Sequence, residues 1–180
     1  FNNPYWWAEN NAYTQSTQRF FGNAYVEYRP AINWGDNLDL VIKEQLGIDA
    51  YTSRYSNIQE AGSAGNSSGY IENESYTRQI FNNLITANFT AELGADREWT
   101  LGLMLGNEVN NDHLTATDYI GSGLAFYGQP TIGNCASFTY GYEAPSQDRT
   151  VGVFFNASAS WRDMLFFNVT GRNDWVSTTP

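Results

Sequence analysis

Leu165-Phe166-Phe167-Asn168-Val169-Thr170-Gly171-Arg172-Asn173-Asp174-Trp175 is the stretch whose reading decides the fold. In an extended chain, successive side chains point to opposite faces. Leu165, Phe167 and Val169 therefore point one way, and Phe166, Asn168, Thr170 and Arg172 the other. The run begins apolar and ends on a charged, turn-rich tip, which predicts a β-strand with an apolar start.

The same period-two pattern recurs upstream. Over 16–29, Phe20, Gly22, Ala24, Val26 and Tyr28 oppose Arg19, Asn23, Tyr25, Glu27 and Arg29, with Phe21 out of place. Over 38–52, Leu38, Leu40, Ile42, Leu46, Ile48 and Ala50 oppose Asp39, Lys43, Gln45, Asp49 and Tyr51. Glu44 breaks that apolar face, which predicts either a local bulge or a neighbour that pairs it. Further strands are expected over 79–93, from Trp99 to about Asn110, and over 149–161. Residues 1–14, 53–70 and 111–147 lack a clear period and read as loops, and 31–37, 94–98 and 162–163 read as short turns.

Composition agrees with strands. The chain is rich in aromatics (12 Tyr, 11 Phe, 6 Trp), with Lys43 its sole lysine. A net charge of -10 leaves no basic stripe to meet phosphates, so nucleic acid is excluded as a partner. Cys135 is alone and reads as a free, unreactive thiol. The opening Phe1-Asn2-Asn3-Pro4 carries no signal peptide, as expected of a mature or internal segment.

Three features point to a membrane barrel. Short and long connections alternate, as periplasmic turns and external loops do in outer-membrane barrels. The face opposite the apolar one is rich in Asn, Thr, Ser and Gly, as a lumen wall is. Each short turn carries a tryptophan (Trp34, Trp99, Trp161), as an interfacial girdle would. Six strands fall short of the roughly eight that the smallest such barrel needs. The expected fold class is therefore all-β: a transmembrane antiparallel β-barrel segment of about six strands from a larger barrel. On this reading Leu40, Ile42, Phe89, Leu103, Val153 and Phe167 face lipid, and Asn82, Thr86, Asn156 and Asn168 face the lumen. The competing readings are a passive outer-membrane porin and a soluble, lectin-like β-sandwich.

Three motifs in order, Asn3-Pro4-Tyr5-Trp6, Gly47-Ile48-Asp49-Ala50-Tyr51 and Thr170-Gly171-Arg172-Asn173-Asp174-Trp175 followed by Ser177-Thr178-Thr179-Pro180, resemble the SusC/RagA-like TonB-dependent transporters of the bacterial outer membrane. Thr179 departs from that family's usual leucine. The resemblance implies that 1–180 is part of the wall and external loops of a 22-stranded barrel whose plug and TonB-contacting segment lie elsewhere in the parent chain. It implies import of oligosaccharides or peptides, handed over by a SusD-like surface lipoprotein and driven by TonB.

No catalytic set, cofactor motif or metal-ligand spacing stands out, and no enzymatic activity is expected. His113 reads as a solvated loop residue, and Asp112, His113 and Asp118 follow no ligand spacing. Arg172, Asn173 and Asp174 are expected to form a structural charged cluster with neighbouring loops. Tyr119, Phe126, Tyr127, Phe138, Tyr140 and Tyr142 are the candidate contacts to substrate or partner lipoprotein, since aromatic loops stack on sugars and peptides.

Overall fold

The computed structural model describes residues 3–31 and 37–179. Its six strands are β1 (Asn11–Tyr28), β2 (Leu38–Gln59), β3 (Tyr70–Leu93), β4 (Trp99–Leu124), β5 (Cys135–Trp161) and β6 (Leu165–Thr179). They form one antiparallel sheet in chain order, with β1 and β6 as its edges, so the sheet is not closed.

Register assigns the faces. Leu40, Phe89, Leu103, Ala157 and Val169 lie side by side across five strands, and Ile42, Ala87, Leu105 and Phe155 form the next row. The other face carries Asn88, Met104, Asn156 and Thr170 in one row. The expected division therefore holds: Val153 and Phe167 share the apolar face, and Asn82, Thr86 and Asn168 the polar one.

No second layer covers the apolar face within this chain. Phe20 and Phe167 are each 68% exposed, and among the described residues only Ile71, Ala91 and Ala116 are buried hydrophobics. A sandwich would bury one such face under a second sheet. The apolar run spans Leu38 to Ile48 on β2 and Trp99 to Val109 on β4, eleven residues each. At about 3.3 Å per residue and a tilt of about 40°, eleven residues climb roughly 28 Å, close to the ~25 Å apolar band of outer-membrane barrels.

Trp99 and Trp161 mark one end of this band, facing each other across β4 and β5 with ring centroids 6.4 Å apart. Trp34 lies outside the described residues. The adjacent β5–β6 turn is tight: Met164 N–H donates to the Trp161 carbonyl at 3.0 Å. Arg162 and Asp163 take φ of 50° and 55°, the left-handed pair of a mirror-image turn that suits the twist of a hairpin.

The strands run further than the apolar pattern. The loop expected at 53–70 shrinks to 60–69, and the one expected at 111–147 to 125–134. β4 and β5 stay paired from Trp99↔Trp161 to Leu124↔Cys135, with one irregularity at Asp118/Tyr119. Beyond the band polar residues fall on both faces, as in Thr115, Thr117 and Asp118, so pairing persists where hydrophobic contrast has weakened. Near the start, 4–10 is a helix, α1 (Pro4–Asn10), rather than loop. Asn3 caps it by accepting from the Tyr5 N–H at 3.0 Å, and Pro4 fits the first turn.

The strand pairing runs through Glu44 without a bulge. Its oxygen instead accepts from the Asn83 side-chain amide at 3.1 Å, so the two polar intrusions on the apolar face partner each other.

Candidate functional site

The polar face carries a stripe of ion pairs built by register. Arg19 and Arg78 flank Tyr51 in one row, and Asp49 and Asp112 lie in the next. Each arginine reaches diagonally to the neighbouring strand. The Arg19 Nε and Nη2 bond both Asp49 oxygens at 2.8 and 2.6 Å. Arg78 grips Asp112 in the same two-pronged way. Such planar forks fix geometry as well as charge.

The third pair involves Arg172, whose guanidinium meets Asp174 at 2.8 Å and Glu108 of β4 at 2.9 Å. Glu108 lies two strands away, and Gly152 on β5 makes the reach possible. A Cβ on Gly152 would sit 2.4 Å from Asp174 Oδ1 and 2.7 Å from an Arg172 nitrogen. One row over, the Phe154 ring lies on Gly106, and the Arg172 guanidinium sits 5.5 Å from that ring's centroid. Glycines thus let large side chains lie flat along the wall. The expectation that Arg172, Asn173 and Asp174 form one cluster with loops is corrected. Asn173 points to the apolar face, and the partners of Arg172 are strand residues, because alternation separates Asn173 from its neighbours.

A second charged group has no arginine. Glu72 and Glu74 of β3 and Asp118 of β4 bring carboxylate oxygens within 4.8 Å of one another on the polar face, beyond the apolar band. Burial, then the charge of Glu72, pushes the Asp118 carboxyl above the usual carboxylate range. Asp118 lies close in sequence to Asp112 and His113, with which it shares no ligand spacing. The structure separates them: Asp112 binds Arg78, and His113 lies on the other face beside Thr115 at 3.4 Å. The signal for the actual group was Glu72-Asn73-Glu74, two acids at strand spacing, hidden because 53–70 read as loop and the strand was expected only from 79.

At this same end, the connections 60–69 and 125–134 and helix α1 form one packed platform. Gly123 and Leu124 N–H donate to the Gly69 and Ser68 carbonyls at 3.1 and 2.7 Å. Buried Glu60 accepts from the Gly128 N–H at 3.1 Å, and its own N–H donates to Asn11 Oδ1 at 2.8 Å. Tyr127 donates to Asn10 of α1. Within 125–134, the Asn134 amide donates to the Phe126 and Gln129 carbonyls at 2.7 and 2.9 Å.

The six aromatics singled out from sequence do not form one loop patch. Phe126 and Tyr127 stand exposed on the platform. Tyr119, Phe138 and Tyr140 lie in β4 and β5 on the continuation of the apolar face, where Tyr119 and Tyr140 meet edge-on at 5.0 Å. Hydrogen bonds to Glu143 and then Tyr119 push the Tyr140 hydroxyl up to about 12. Tyr142 turns to the polar face and shares a 2.7 Å hydrogen bond with Tyr76.

These features define the class as a segment of an antiparallel β-barrel wall. The chain is similar to part of a solved structure described as the RagAB peptide transporter, with a TM-score of 0.74 and 14% identity over 96% of this chain and 19% of that one. It is similar also to the RagAB peptide importer in a "closed-closed" state (TM-score 0.69, 16% identity, 97% and 19% covered) and in an "open-open" state (TM-score 0.70, 16% identity, 97% and 19% covered). The chain spans about a fifth of the length of those neighbours. No family model and no curated protein matches the sequence. At these identities the likeness is one of fold, and the three neighbours named are described as a peptide transporter or importer.

Proposed function

We propose that residues 1–180 form part of the barrel wall of an outer-membrane, TonB-dependent importer of the SusC/RagA-like kind. The observation that carries this reading is the bare apolar face, eleven residues deep and ended by Trp99 and Trp161, on a sheet shaped like a transporter wall. Lipid satisfies such a face, and hydrogen bonding along the strands satisfies the backbone within the membrane. The polar face then lines the lumen, where paired arginines and acids stiffen a wall that a plug must pass or contact. The short turns are periplasmic, and the platform of 60–69, 125–134 and α1 is external.

The cargo on this reading is peptide or oligosaccharide, delivered by a SusD-like surface lipoprotein. The full-length protein carrying this chain is expected in the outer-membrane fraction, extracted only with detergent, and to import its cargo only in cells with active TonB. Monodisperse behaviour in water without detergent would favour a soluble β-sandwich and sink the reading. Uptake unaffected by loss of TonB would leave a passive porin.

A further inference from the structure

The acids Glu72, Glu74 and Asp118 form a cluster on the polar face that differs from its arginine-paired acids. Asp49, Asp112, Glu108 and Asp174 each meet an arginine. Among the described residues, no arginine or lysine forms an ion pair with Glu72, Glu74 or Asp118. Their recorded donors are neutral: Asn57 reaches Glu72 at 3.5 Å, and the Tyr76 hydroxyl reaches Glu74 at 3.4 Å.

A second observation comes from Asp118 itself. It is only 6% exposed, and its buried Oδ1 has no hydrogen-bond partner. A buried carboxylate oxygen left unsatisfied is costly, and such groups call for an ion or donor. The backbone is shaped to seat this side chain. The irregularity in the β4–β5 pairing leaves Gly141 unpaired beside Asp118, between Tyr140 and Tyr142, and a Cβ there would clash with the Asp118 carboxylate.

We propose that Glu72, Glu74 and Asp118 hold a calcium ion on the polar face, in the outer part of the wall. Calcium takes oxygen ligands at about 2.3–2.6 Å, so oxygens on opposite sides of one ion lie roughly 4.6–5.2 Å apart. Three carboxylate oxygens that all lie within 4.8 Å of one another can reach one such ion together. Magnesium, at about 2.1 Å, demands a stricter octahedron and keeps most of its waters, so a set of three carboxylates suits calcium better. One ion offsets two of the three charges and supplies a partner to the Asp118 carboxylate, whose Oδ1 has none. Waters complete a shell of six to eight oxygens. The consequence is structural: the ion ties β3 to β4 just below the external platform, where the wall has no arginine to do so. The assignment depends on these residues alone and not on what the barrel transports.

The test uses the full-length protein in detergent, stripped with chelator and titrated with calcium chloride by calorimetry, with the melting temperature followed in parallel. The expected result is that Asp118→Asn and Glu72→Gln each bind one calcium fewer per chain than wild type. Calcium should raise the melting temperature of the wild type more than that of either variant. Glu143→Gln, outside the cluster, should bind as wild type does. Gel mobility with and without heating confirms that each variant is folded, and Glu72, which is only half-buried, provides the milder substitution. Equal calcium stoichiometry in wild type and both folded variants would overturn the proposal. So would an absence of calcium binding to wild type, as when a basic side chain from elsewhere fills the cluster.

Discussion

At the scale of single residues, glycine placement decides which side chains can cross the wall. Gly152 is the clearest case, since Asp174 and Arg172 occupy the space of its missing side chain. Gly152→Val is expected to displace both, break the Arg172–Glu108 contact and cost ~1–3 kcal/mol through overpacking. The readout is the urea midpoint of the full-length protein in detergent, with Arg172→Gln as the control. If the crowding explanation is right, the valine variant loses more stability than the glutamine variant. The β5–β6 turn offers the opposite sign. Arg162 and Asp163 both sit at positive φ without being glycine. Asp163→Gly removes that steric penalty and should stabilise by up to ~1 kcal/mol, offset in part by greater freedom in the unfolded chain. An unchanged or lower midpoint would show that the aspartate side chain matters to the turn. Cys135 is the third residue-scale case. Burial pushes its thiol pKa up, and its sulfur lies over Gly121. At neutral pH it should be alkylated more slowly than an exposed thiol, a difference that narrows as pH rises through the thiol range and vanishes on unfolding.

At the scale of elements, what could be read depended on hydrophobic contrast. Where one face is apolar and the other polar, alternation gave strands and faces: Leu40, Phe89 and Leu103 against Asn88 and Asn156. It also exposed Glu44 as an anomaly, which Asn83 resolves. Past the apolar band the contrast weakens. Thr115, Thr117 and Asp118 look like loop, yet pairing runs on to Leu124 because backbone hydrogen bonds need no hydrophobic face. The same blindness hid the acidic cluster and scattered the aromatic set. Tyr119, Tyr140 and Tyr142 belong to strands, and the irregularity beside Gly141 sets Tyr140 and Tyr142 on opposite faces. Helix α1 was missed for another reason. Its Asn3-Pro4 start is a recognisable cap, but seven residues are too few for a helical period to show. The element-scale prediction concerns the apolar face. Leu103→Arg, mid-band on β4, should cost ~2–4 kcal/mol if lipid lies against it. Met104→Arg, its neighbour on the polar face, should cost much less, and equal costs would contradict the membrane assignment of the faces.

At the scale of the whole molecule, the decisive question is which end of the wall faces outward. The two ends differ physically. One has tight turns beside Trp99 and Trp161, with Asp96 exposed at a tip. The other is the hydrogen-bonded platform that presents Phe126 and Tyr127. A partner that docks by burying aromatics finds Phe126 and Tyr127 exposed together at the platform. Cysteine labelling of intact cells tests this, with Cys135→Ser as background. Gly65 takes φ of 88°, so the adjacent Ala64 is the better site for a cysteine, with Ala125 chosen beside Phe126 and Asp96 at the opposite end. A membrane-impermeant maleimide should label Ala64→Cys and Ala125→Cys, and should not label Asp96→Cys. Co-expression of the proposed SusD-like lipoprotein should leave Ala64→Cys reactive, because the Gly/Ser stretch around it offers little to bury. It should protect Ala125→Cys, because Phe126 and Tyr127 flank that site. Protection at neither site would remove the docking role while keeping the orientation. Labelling confined to Asp96→Cys would invert the orientation and place Glu72, Glu74 and Asp118 on the periplasmic side.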